Sequence, residues 1–215
     1  MLREVAFNEW FTVFTVLGFA AIALSKQLFS VRFNDFVGVL GNSKYLKIYS
    51  REQKFIDGFD SLLFVNLSLS LSIFGYLSYS TIVEPLKFDL ALFLKVVFGV
   101  SALILIKVLL ERLVGSLFEI DKLIDNYLFQ KTSYLNFSGF LLLPINALLL
   151  YSIEPTKTAV YISIGIVILV NLIGLITSFI THQKLILNNL FYFILYLCAL
   201  EIGPYLILYK LIFKN

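Results

Sequence analysis

Long apolar runs separated by short polar stretches organise this chain. Six of them reach the length of about 20 residues that a helix needs to cross the hydrocarbon of a bilayer: 8–28, 59–80, 88–110, 133–153, 158–180 and 188–209. Period-two alternation occurs only over residues 66–72, inside one of these runs, so the strands of a membrane barrel are not predicted. The first run starts close behind Arg3 and has no compact small-residue cleavage site, so it reads as a retained helix rather than a removable leader. The pattern predicts an all-α polytopic membrane protein with six transmembrane helices, a single helical domain over 1–215. Residues 1–57 form the first helix plus an interfacial segment, and 58–215 form a five-helix core.

Two connections are too long to be turns. Between the first two spans, Leu28, Phe29, Phe33, Phe36, Val37 and Leu40 recur at helical spacing before Gly41, which predicts an amphipathic helix in the headgroup layer. After the third span, Leu110, Leu113, Val114, Leu117, Ile120, Ile124, Tyr127 and Leu128 continue at three and four. With no proline between, the third helix is expected to leave the bilayer and run on to about Asn126, or to bend once near Gly115. Ser68, Ser72, Gly75 and Tyr79 form a small-residue seam on the second span, suited to close helix packing.

Composition narrows the class further. The chain is 60% hydrophobic and 14% charged over 215 residues, and a soluble domain of that size cannot hide so much apolar side chain. Its net charge of +3 is scattered, without the basic runs and aromatic platforms that grip phosphates, so no nucleic-acid partner is expected. Lysine and arginine divide 11 to 5 between the two sets of connecting loops. By the positive-inside rule both termini then lie on the periplasmic side of an inner membrane.

Candidate chemistry is sparse. His182 is the only histidine, placed in a short turn with Thr181, Gln183 and Lys184, and Cys198 is the only cysteine, so ordinary zinc or haem ligation is not expected. No cofactor is predicted, and no serine is marked out to pair with Lys95 in hydrolysis, so the chain reads as no enzyme. Polar groups within spans are the informative ones, because each needs a partner or a wet cavity. Glu201 and Lys95 are the candidate intramembrane pair, and Asn66, Asn146 and Asn171 are candidate interhelical polar residues. Pro144 and Pro204 are expected to kink their helices. Asp60 and Lys107 lie near enough to span ends to snorkel, with Glu111 one turn from Lys107.

The segment Asn136-Phe137-Ser138-Gly139-Phe140-Leu141-Leu142-Leu143-Pro144-Ile145-Asn146 resembles the fourth-helix "Leu-Leu-x-Pro" segment of a Bacteroidota membrane family. Tyr196-Leu197-Cys198, Glu201-Ile202, Pro204 and Tyr209-Lys210 resemble that family's ending, with Gly203 departing from it. The family is catalogued as domain of unknown function four-two-seven-one, and the resemblance spans about Lys54 to Lys210. It implies residence in the inner membrane of a Gram-negative envelope. The leading expectation is a non-enzymatic structural or accessory subunit of a cell-envelope assembly, contacting membrane lipid and envelope proteins. The alternative is a small proton- or ion-coupled transporter or channel using Glu201 and Lys95, and an enzyme acting on lipid-linked substrates is third.

Overall fold

The computed structural model describes residues 9–42, 44–50, 57–86, 88–117, 121–152 and 155–188. Within them the chain forms α1 (Glu9–Leu28), α2 (Ser30–Val37), α3 (Lys44–Tyr49), α4 (Gly58–Ile82), α5 (Leu90–Leu117), α6 (Asp121–Tyr151) and α7 (Lys157–Asn188), with no strand among the described residues. Five of these helices, α1, α4, α5, α6 and α7, are long and apolar enough to cross a membrane. The protein is thus an all-α, multi-pass bundle. The sixth expected span, 188–209, falls outside the described residues but for Asn188 itself, and Cys198, Glu201 and Pro204 lie outside them too.

α4 and α6 are the centre of the bundle. Each packs on the other, while α1, α5 and α7 pack around the pair. More than half of the most apolar stretch of α4 and of α6 is buried, against 6% in α5. Glycine sets how close the centre comes together. A Cβ on Gly139 of α6 would lie 2.6 Å from the Leu67 Cα of α4, nearer than van der Waals contact between carbons allows. Gly18 of α1 meets Leu143 of α6 at 2.8 Å in the same sense, and Gly174 of α7 meets the Tyr134 ring at 2.4 Å. The seam expected on α4 is only half realised. Ser68 and Ser72 are buried, but Gly75 and Tyr79 face outward with open space at Gly75. A small residue permits close approach only where a neighbour fills the gap, and that neighbour sits at Gly139.

Two expectations about the connections are corrected. The third span does not run on to Asn126 as one helix. Gly115 of α5 lies so close to Ile124 of α6 that a Cβ there would meet its side chain at 2.8 Å. Arg112 also pairs with Asp125 at 3.4 Å. The chain therefore reverses between Leu117 and Asp121, and the apolar positions from Ile124 onward belong to the first turns of α6. Three-four spacing runs unbroken through this region although its two halves do different things: Leu110, Leu113 and Leu117 of α5 face outward, while Ile124, Tyr127 and Leu128 of α6 are buried. Likewise residues 181–184 are not a turn but part of α7, since no Gly or Pro interrupts the helix there.

The segment after α1 has two apolar sides. Phe33 and Phe36 of α2 are turned onto the bundle, where Phe36 is fully buried and meets Phe59 at 5.8 Å and Phe137 at 5.8 Å between ring centres. Tyr45 of α3 stacks on Phe129 of α6 at 5.6 Å. Leu28, Val31, Val37, Leu40 and Ile48 face outward. So the face expected to lie wholly in the headgroup layer is split, with its aromatic residues docked on protein. α6 continues helical through Pro144, which stands on its outer surface. The carbonyl that Pro144 leaves without a helical donor is that of Phe140.

Candidate functional site

The ion pairs of Arg32, Lys44, Arg112 and Lys131 lie at the end where α1 finishes and α4 begins, and where α5 meets α6. Arg32 of α2 is their hub. Asp57, in extended conformation, caps α4 by accepting the Phe59 amide at 3.2 Å. Its other oxygen accepts from Arg32 Nη1, while Asp60 accepts from Nη2 at 2.9 Å. The guanidinium lies 4.7 Å from the centre of the Phe59 ring and 5.0 Å from that of Tyr49, within cation–π range. Burial acts first to lower the arginine's pKa, but the charge of Asp60 and the bond to Asp57 outweigh it, so the net direction is upward. Arg32 therefore stays charged. Burial pushes the neighbouring Tyr45 hydroxyl up from its ordinary value, so that side chain stays neutral.

A second pair lies on the α5–α6 hairpin. Glu111 of α5 is fully buried and accepts from Lys131 of α6 at 2.5 Å. The lysine head also stands 5.9 Å from the Tyr127 ring centre. Lys131 thereby ties Glu111 of α5 to α6 across the hairpin. The outermost pair, Lys44 with Asp35 at 2.8 Å, joins α3 to α2, and the hydrogen bond to Asp35 raises the lysine's pKa.

Deeper in the bundle the polar groups bridge helices. Asn146 of α6 donates to the Ser70 carbonyl of α4 at 2.8 Å. Asn171 of α7 donates to Ser138 Oγ of α6 at 2.8 Å and to its own helix at the Val167 carbonyl. Asn66 is fully buried on α4 and accepts from Ser70 Oγ at 3.3 Å, facing α1 where Gly18 leaves it room. Ser70 thus stands between two of the three candidate asparagines, and Ser138 holds the third. Lys95 is not part of this seam. It lies on the exposed side of α5, away from buried Phe93. Its proposed partner Glu201 is outside the described residues.

Sequence reasoning missed the hub. Arg32 counts in a loop as one more positive charge, and nothing in its spacing names carboxylates 25 and 28 residues later as partners. The available signal was Asp57 before Gly58 and an apolar run, a helix N-cap motif that places a carboxylate at the start of α4. Among the described residues no three His, Cys, Asp or Glu side chains cluster to hold a metal ion.

The family model described as a domain of unknown function, DUF4271, matches residues 11–212. No curated protein matches the chain. No solved structure matches it either.

Proposed function

A chain matched over that length belongs to the DUF4271 family, and we propose that this member is a non-enzymatic protein of the inner membrane. Its role in this reading is that of a structural or accessory subunit of a cell-envelope assembly. The observation that carries the reading is where the polar groups are engaged. Asn146, Asn171 and Ser70 bond across helix boundaries, and Arg32, Glu111 and Lys131 pair across helix boundaries. Such groups fix packing and register. Of the five described spans α5 is the least buried, and its Leu94, Phe98, Leu103, Ile106, Leu113 and Leu117 are all exposed. In the proposed orientation the charged end around Arg32 faces the cytoplasm, following the excess of Lys and Arg in its loops.

A photo-crosslinking amino acid placed at Phe98, which is 77% exposed, tests the reading in living cells. A discrete protein adduct at position 98, missing when the probe replaces buried Phe93, supports an envelope partner on α5. Crosslinking to lipid alone at position 98, as at other outward positions, contradicts it.

A further inference from the structure

Three spans bring polar side chains to one level in the middle of the bundle. α1 runs against α4, with Phe11 beside Tyr76, Gly18 beside Asn66 and Phe29 beside Phe59. It also runs against α6, with Thr12 beside Tyr151 and Gly18 beside Leu143. Thr15 is buried on the same face of α1 as Phe11 and Gly18. It therefore stands level with Ser70 of α4 and Asn146 of α6, one turn from the point where Gly18, Asn66 and Leu143 meet. None of Thr15, Asn66, Ser70 and Asn146 is more than 3% exposed. Apolar residues close this node on both sides, Phe11, Ile73 and Leu149 one turn beyond it and Ala21 and Leu63 before it.

The node's hydrogen-bonding capacity is only partly used. Ser70 Oγ donates to Asn66 Oδ1, and the Ser70 carbonyl accepts from Asn146 Nδ2. Asn66 Nδ2, Asn146 Oδ1 and Thr15 Oγ1 are buried with no hydrogen-bond partner among the described residues. Leaving such groups unpaired is costly, above all at membrane depth. The first can only donate, the second can only accept, and the hydroxyl can do either. A cation would be opposed by the amide N–H and an anion by the amide oxygen. What answers all three is a small neutral molecule that both donates and accepts. We propose that the node binds a water molecule that accepts from Asn66 Nδ2 and donates to Asn146 Oδ1, with Thr15 Oγ1 as its third partner. Three protein partners is the usual complement of a buried water. Through it α1 joins the polar seam of α4 and α6, in a closed compartment and not on a path across the membrane.

Hydroxyl-radical footprinting of the full-length protein in detergent, with a short X-ray pulse, tests this, because radicals formed at a bound water oxidise the side chain beside it. Met1 is the chain's own single methionine, so a methionine placed inside the bundle reports on its surroundings alone. Leu143→Met puts the probe beside the node, at a position that is 0% exposed. Leu77→Met puts it in the apolar cluster beyond, at a position that is 9% exposed. Both exchanges conserve volume. Oxidation is expected to be several-fold faster at position 143 than at 77, the reverse of their exposure. Adding Asn146→Leu, which removes the acceptor, should bring position 143 down to the rate of 77, and the shape-conserving Thr15→Val should lower it in part. A rate at 143 no higher than at 77 overturns the proposal, as does one that neither variant lowers. A thermal unfolding midpoint that is higher in sodium chloride than in choline chloride at equal ionic strength, with the difference lost in Asn146→Leu, overturns it in favour of a cation.

Discussion

Replacing Arg32 by alanine should loosen the whole segment from Ser30 to Tyr49 from the bundle. The side chain is 15% exposed and holds Asp57 and Asp60, which are 21% and 33% exposed. Without the guanidinium the two carboxylates repel each other and must be rehydrated. Orphaning a fully buried charge costs about 3–5 kcal/mol, and an exposed pair is worth about 0–1 kcal/mol. This box lies between those limits, and losing the contacts to the Phe59 and Tyr49 rings adds about 0.5–1 kcal/mol. The expected loss is about 2–3 kcal/mol by this reasoning. Arg32→Lys should lose about half as much, because an ammonium keeps the charge but cannot span both carboxylates while lying flat on a ring. Arg32→Met combined with Asp57→Asn and Asp60→Asn should recover part of the alanine loss, since no orphan charge remains and asparagine still caps α4. Reversible unfolding in mixed micelles reads the stability, and limited proteolysis between α3 and α4 reads the docking. A triple variant less stable than Arg32→Ala, or an alanine variant within 0.5 kcal/mol of wild type (about the error of comparing two such measurements), would refute the argument.

Gly139→Ala should cost about 1–3 kcal/mol, the usual penalty for overpacking, because its new methyl meets Leu67 backbone at 2.6 Å. Gly165→Ala, which meets nothing within 4 Å, should cost nothing in the same unfolding assay. Single cysteines at Lys47 and Thr156 in a Cys198→Ser background should divide cleanly. The proposed orientation predicts that an impermeant thiol reagent labels position 156 in intact spheroplasts and leaves 47 unlabelled, and the reverse pattern would invert it. Alkaline pH should separate wild type from Tyr45→Phe. With its pKa raised by burial, Tyr45 holds its proton in the fold after the unfolded chain has lost it, so its contribution is full below about pH 10 and declines as pH rises beyond. The stability gap between the two proteins should therefore be constant from neutral pH to about pH 10 and shift against the wild type above that.

The spans were legible because a 20-residue apolar run has few other uses. Their partners were not. Periodicity shows that Phe33, Phe36 and Val37 lie on the apolar part of a helix, but it does not say that protein covers the first two and leaves Val37 outside. The same blindness joins α5 to α6, since Leu113, Leu117, Ile124 and Leu128 satisfy one helical spacing whether the chain runs on or folds back. Packing glycines pose a related problem. Gly75 sits in a stripe of small residues yet faces open space, while Gly139 stands among Phe and Leu and touches α4. The three asparagines were singled out by their cost in hydrocarbon. Their partners, Ser70 and Ser138, are ordinary serines that only the assembled bundle brings opposite them.

The central claim is that this protein's work is done as part of an assembly, with its inner polar groups holding helices together. The most direct test is the mass of the tagged protein extracted from its own membrane in mild detergent, measured by native mass spectrometry. The account predicts a complex of fixed stoichiometry that falls to the free chain when Phe98 and Ile106 on the outer face of α5 are both changed to serine. A single free chain in the wild-type extract, together with proton-driven solute uptake by the purified protein in vesicles, would contradict it.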